Sequence, residues 1–203
     1  MIVDSIEKLE GIYNEPVSPA AKKIHADYLI APFQKLIEAS PFFLLATAGP
    51  DGLDCSARGD PPGFVRVRDE KTLLIPDRRG NNKIDSLRNI IADPRVALLF
   101  LIPGTGTILR VNGRACISAE AQLCQSFAVN AALPKSVLIV TVEAAFFQCA
   151  RALLRSRLWE MDARVAPDAI PSTGDVLSYF SGKAEEGKAF DEAATARMRG
   201  TLW

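Results

Sequence analysis

Histidine is nearly missing from this chain: His25 is the only one in 203 residues. A zinc site or a Ser-His-Asp triad would rest on that one side chain, which disfavours metal-dependent and serine hydrolysis, and no metal site is expected. Cysteine is scarce and unpatterned. Cys55, Cys116, Cys124 and Cys149 show no C-x-x-C spacing, so they read as reduced thiols of a cytoplasmic protein. No apolar run approaches the roughly 20 residues that span a bilayer, so a membrane is not expected as a partner. Met1-Ile2-Val3-Asp4 carries no basic n-region and no apolar core, and no signal peptide is expected. Net charge is lacking too: lysine plus arginine and aspartate plus glutamate number 24 each. Without a polyanion-binding footprint, nucleic acid is not expected as the main partner. Neither G-x-x-x-x-G-K-S/T nor a G-x-G-x-x-G after a strand occurs, which argues against P-loop and Rossmann-type sites.

What is present suffices for a core. Apolar residues make up 48% and charged residues 24%, a globular balance. The length suits a single domain over 1–203, with a helical arm over about 1–40, a barrel over about 41–160 and a helical extension over about 161–203. Ser5 can cap a first helix at Ile6. A second, from Ala20, would place Ile24, Tyr28, Leu29, Phe33, Leu36 and Ile37 on one face, with Pro41 ending it. From Phe42 the period changes to that of strands: 42–48, a Gly49-Pro50-Asp51-Gly52 hairpin turn, 53–57, 63–68 and 72–76. A helix over 82–92 with Ile84, Leu87 and Ile91 on one side stops at Asp93-Pro94. Strands follow at 95–102, 107–118 and 136–147, with helices at 120–131, 150–157 and near Val176 and Ala189. Asn112-Gly113 reads either as a type I′ turn or as a bulge in one long strand. At least six strands with few helices between them predict a mainly antiparallel barrel with helices outside.

The stretch 58–83 concentrates cations and amides around two apolar runs. Arg58 sits in a corner rich in glycine and proline. Arg66 alternates with Val65 and Val67 and so points away from them. Asn81, Asn82 and Lys83 open the 82–92 helix, where unpaired N–H groups favour an anion such as a phosphate. The competing reading is structural: either asparagine makes a good N-cap unaided, and Arg78, Arg79 and Lys83 can be ordinary solvated charges. Arg151, Arg155, Arg157 and Trp159 form a second basic and aromatic cluster, which can reach a ligand, a partner subunit or the C-terminal segment. Glu143 reads as a solvated strand residue and His25 as a surface or dimer contact. No catalytic acid, base or nucleophile is assigned.

In order and spacing these segments resemble the flavin-binding split-barrel family related to pyridoxamine 5′-phosphate oxidase. The matching pieces are S-P-F-F-L-L-A-T at 40–47, L-D-C-S-A-R-G-D-P-P-G-F-V at 53–65 and L-L-I-P-D-R-R-G-N-N-K-I-D-S-L-R-N at 73–89. D-P-R-V-A-L-L-F-L-I-P-G at 93–104, L-R-V-N-G-R-A at 109–115 and A-L-L-R-S-R-L-W at 152–159 continue them. The resemblance implies a six-stranded antiparallel split β-barrel with peripheral helices, paired as a homodimer with FMN at the subunit interface. It implies that Arg66 and Lys83, with Arg58, Asn81 and Asn82, hold the FMN phosphate. Phe64, Val65 and Arg66 would pass along the isoalloxazine ring, Pro76 and Asp77 would border the ribityl chain, and Arg110, Arg157 and Trp159 would approach from the facing subunit. It also favours the bulged, continuous strand at Asn112-Gly113. Ala57, Thr107 and Gln148 stand where relatives usually carry proline, glutamate and histidine. The basic C-terminal pattern that grips pyridoxamine phosphate is not recognisable after residue 160. The implied activity is therefore FMN-dependent oxidoreduction of a small-molecule substrate. A non-catalytic flavin-binding or flavin-sensing protein, or a split barrel using a deazaflavin or haem, is the alternative.

Overall fold

The computed structural model describes residues 2–19 and 23–202. Its elements run α1 (Ile6–Ile12), β1 (His25–Ala26), α2 (Ala31–Ala39), β2 (Phe42–Gly49), β3 (Gly52–Gly59), β4 (Arg66–Asp69) and β5 (Thr72–Pro76). Then come α3 (Asp85–Ala92), β6 (Arg95–Leu101), β7 (Ile108–Ser118), α4 (Ala121–Ser126), β8 (Val137–Gln148), α5 (Arg151–Ser156), α6 (Thr173–Ser181) and α7 (Ala184–Arg199). All strand pairs are antiparallel, in the order β3-β2-β6-β7-β8-β5-β4, and β1 joins β8 on the edge it shares with β5. The result is a split barrel, mainly β with added helices. Among the described residues the sheet has eight strands, the seven that periodicity predicts and the two-residue β1, against the six that the resemblance implies.

Alternation explains the core. On β2, Phe43, Leu45 and Thr47 are buried while Phe42, Leu44 and Ala46 are half-buried, as a strand of period 2 requires. Val96, Leu98 and Phe100 of β6, Leu109 and Val111 of β7, Val140 and Val142 of β8 and Leu73 and Ile75 of β5 complete one cluster. Leu29, with Phe33 and Ile37 of α2 and Ile90 of α3, seals it. Aromatic contacts tie it together: Phe43 packs 5.1 Å from Phe100 and 5.8 Å from Phe64, between ring centres.

Several expected elements are shorter than periodicity suggests. The second helix occupies only Ala31–Ala39, and its expected start at Ala20 lies outside the described residues. Pro32 stands in its first turn, the one place a helix accepts a residue without an N–H. Ahead of it, His25-Ala26 pair with Phe146 and Ala145, and Ile24 and Tyr28 are exposed. Gly63 is left-handed (φ 87°), so the strand expected from there begins at Arg66. The 82–92 helix starts at Asp85, because Asn82 (φ 63°) and Ile84 (φ 55°) are left-handed and fall outside the helical path. That shift rotates its buried face to Ser86 and Ile90, leaving Ile84 and Ile91 exposed. Left-handed Asn130 and Ala131 likewise follow a helix confined to Ala121–Ser126.

Asn112-Gly113 is continuous strand, paired with Ala97 and Val96 in register. The extra residue of the bulge is on the facing strand: Asn112 opposes Ala144 and Gly113 opposes Val142, so Glu143 is unpaired and exposed. Gly113 is needed because a Cβ there would sit 2.1 Å from the Thr141 carbonyl oxygen. Among the described residues no helix is long and apolar enough to cross a membrane.

Candidate functional site

The strand order leaves β3 at one end of the sheet, and there the inner face changes character. Asp54, Ser56 and Arg58 pair with buried Thr47, Leu45 and Phe43 and so share the core face. Three polar residues at period 2 thus replace apolar ones where the barrel is split. Beside them a cleft of about 1010 Å³ opens between β3, α3, the loop 77–84 and the segment 132–136 leading into β8.

A directed hydrogen-bond chain forms its floor. Arg58 Nε donates to Ser56 Oγ (3.3 Å), Ser56 and Ser86 hydroxyls lie 3.0 Å apart, and Ser86 Oγ donates to Asp54 Oδ2 (2.6 Å). Each hydroxyl has one proton. Ser86 spends its proton on Asp54, so Ser56 must donate to Ser86, and the chain runs one way from guanidinium to carboxylate. Arg58 Nη1 also donates to Asp77 Oδ1 at 2.7 Å, with both side chains about four-fifths buried. This ion pair bridges β3 and the end of β5, linking across the split where no ladder does. Arg58 Nη2 has no partner among the described residues and remains available to a ligand.

The loop 77–84 is fixed from outside the cleft. Arg78 Nε donates to Asp60 (2.6 Å) and its Nη1 to the Phe127 carbonyl (2.8 Å), in a setting where the Asp60 side chain is 2% exposed. Asn81 Oδ1 accepts from the Lys83 N–H, and Lys83 Nζ lies 3.4 Å from Asp85 Oδ2. Arg79, Asn81, Asn82 and Lys83 all line the cleft and are exposed. The helix behind them opens on Asp85, so the dipole end is met by a carboxylate of its own.

Of the residues the sequence singles out, Arg58, Phe64, Pro76, Asp77, Asn81, Asn82 and Lys83 converge on this cleft. Val65 is 1% exposed in the core. Arg66 lies elsewhere: its guanidinium stacks 3.9 Å above the Phe127 ring and donates to the Ser126 carbonyl and hydroxyl, pinning the end of α4. Arg110 lies over the Phe146 ring (4.9 Å), and His25 stacks on the same ring at 5.4 Å. Arg157 is held by Asp162 and Glu160, which push its pKa up, and Trp159 Nε1 donates to the Thr105 carbonyl (2.8 Å). None of these last four lines the cleft of its own chain. Sequence reasoning missed Asp54, Ser56, Ser86 and Lys135. The alternation Asp54-x-Ser56-x-Arg58 was the legible signal for the first two; the others depend on tertiary contact.

Fold and cleft together define a split-barrel protein with a polar, cation-lined site at the split of its sheet. The chain belongs to the pyridoxamine 5′-phosphate oxidase family, whose profile matches residues 30–149. No curated protein matches its sequence. Solved structures of similar fold include HupZ of Group A Streptococcus, 19% identical over 59% of this chain and 94% of that one, TM-score 0.49. The General Stress Protein 26 of Bacillus anthracis is 19% identical over 56% of this chain and 88% of its own, TM-score 0.40. An FMN-binding protein from Syntrophomonas wolfei is 12% identical over 70% and 95%, TM-score 0.46.

Proposed function

We propose that the cleft binds FMN and that the protein is a homodimeric FMN-dependent oxidoreductase acting on a small-molecule substrate. The observation that carries this reading is the division of the cleft by chemistry. Arg58, Asn81, Asn82 and Lys83 offer donors suited to a phosphate, while Phe64 and Pro76 offer apolar surface suited to a ring. A bound flavin would supply the hydride chemistry, which is why the site needs no acid, base or nucleophile of its own. The chain's residues have the tasks of binding and orientation. Arg58, immobilised by Asp77 and Ser56, presents a fixed Nη2 edge, and the Asp54 chain holds that edge in place. Membership of the family supports the flavin. The half-buried outer face of the sheet supports the dimer, and Arg110, Arg157 and Trp159 are the residues a partner would contribute. All four cysteines are free thiols, three of them exposed, which suits a reducing cytoplasm.

The purified protein, reconstituted with FMN and desalted, should retain a yellow flavin spectrum that dithionite bleaches, and NADH or NADPH should be consumed above the free-FMN rate. A colourless protein after reconstitution would end the flavin reading. Retained flavin without turnover would leave a flavin-binding protein and remove the oxidoreductase.

A further inference from the structure

The cations of the cleft are not equivalent. Arg58 is paired with Asp77, Arg78 with Asp60, and Lys83 is shared with Asp85. Among the described residues Arg79 and Lys135 line the cleft without a carboxylate partner. They stand on different walls, Arg79 in the loop 77–84 and Lys135 in the segment before β8. The walls are joined at their base by the Asp77 N–H, which donates to the Ser136 carbonyl (2.9 Å), and further out by this lysine: Lys135 Nζ donates to Asn82 Oδ1 at 3.3 Å, over a sequence gap of 53 residues.

That contact leaves a set made of donors. The carboxamide oxygen of Asn82 accepts from Lys135, its Nδ2 hydrogens have no partner among the described residues, and Lys135 and Arg79 have no acceptor atoms at all. Of the cleft carboxylates, Asp77 and Asp85 face Arg58 and Lys83, and Asp54 accepts from the Ser86 hydroxyl on β3's side of the cleft, away from the contact between the two walls. Uncompensated positive charge therefore sits where the two walls touch, and an acceptor-only anion is its chemical complement. Backbone conformation marks the same place. Of the five left-handed non-glycine residues described, Asn82 and Ile84 are on one wall and Asn130 and Ala131 lead into the other. Strain of this kind collects at ligand clamps.

We infer that Lys135 is a phosphate ligand: with Asn82 it clamps the phosphate of the flavin across the two walls and selects FMN over riboflavin. This rests on the flavin reading and extends it to a residue outside the loop 77–84. Lys135 is exposed and belongs to no strand, so its replacement leaves the fold intact.

Flavin-free full-length protein, its Lys135→Ala and Lys135→Arg variants, and Lys83→Ala are titrated with FMN and with riboflavin, following flavin fluorescence. Lys135→Ala should weaken FMN at least about tenfold, the factor equivalent to about 1.4 kcal/mol, and leave riboflavin unchanged. Lys135→Arg should keep most of the preference. Equal loss of both flavins, or no loss of either, would overturn the role of Lys135 while the flavin reading stands. Wild-type protein that binds neither flavin would overturn the flavin reading itself, and this assignment with it. Thermal unfolding of the flavin-free proteins separates a folding defect from a lost contact.

Discussion

Single residues in this protein are often committed to neighbours before any ligand arrives. Arg78 is the clearest case, because Asp60 is almost fully enclosed and Arg78 is its counter-charge. Stranding a buried carboxylate costs about 3–5 kcal/mol. Arg78→Met should lose that much in urea unfolding, and Asp60→Leu combined with it should recover most of the loss, since an apolar pair strands no charge. Asp60 Oδ1 is itself buried without a hydrogen bond, which makes the native pair less favourable than its short distance suggests. Asp93 gives a pH prediction. Hydrogen bonds from the Arg95 side chain, then from its N–H, hold the Asp93 carboxyl at about 2 against an ordinary 3.8. Between those values the unfolded chain binds more protons, so stability rises with pH there. The contribution is fully present above about pH 4 and is lost as pH falls through about 2. Asp27, Asp69 and Asp175 are shifted the same way. Unfolding midpoints measured from pH 5 to 2 should therefore fall less steeply for Asp93→Asn than for the wild type.

At the scale of elements, the β7–β8 ladder shows how one glycine sets the shape of a sheet. Glu143 is the extra residue, and Gly113 lets β7 approach the Thr141 carbonyl opposite it. The bulge falls near the junction where β5, pairing up to Thr141, gives way along the β8 edge to β1, pairing from Ala145. A methyl group at 113 would have to displace backbone on both strands. Overpacking of this kind typically costs about 1–3 kcal/mol, occasionally more, and Gly113→Ala should fall at the upper end by denaturant titration. Gly187 and Gly174 play a comparable part in the C-terminal hairpin, where each backbone occupies the space of the other's missing Cβ. Asp191 locks that hairpin by accepting from Ser172 Oγ and the Gly174 N–H. The composition of α6 and α7 predicts helices; their close crossing is set by the contact between Gly174 and Gly187, which only the tertiary structure brings together.

For the whole molecule, the sheet has a second face. Leu44, Leu99, Arg110 and Phe146 form one row across four strands, and Ala46, Ala97, Asn112 and Ala144 form the next. These side chains are half-buried, in a sheet whose other face carries the core and, at β3, the cleft. This face, apolar except for Arg110 and Asn112, is the surface on which the proposed dimer would close. Leu99→Arg places a charge at its middle. By light scattering it should shift the protein from twice the 22.0 kDa chain mass to one, and flavin retention should fall with it if the partner completes the site. A wild type already at one chain mass would remove the dimer from the proposal.

The sequence by itself determined the strand alternation, the helix caps at Ser5 and the early stop at Asp93-Pro94, because each rests on the local backbone preferences of a few adjacent residues. It also marked the cationic stretch 58–83, since charge and turn chemistry are local. Tertiary structure alone decided which of those cations remain free for a ligand. Arg66 went to Ser126 and Arg78 to Asp60, partners 60 and 18 residues away. Lys135 met Asn82 across 53. Contacts at such separations are fixed by the curl of the sheet, which brings the end of β3, the loop after β5 and the approach to β8 around one cleft.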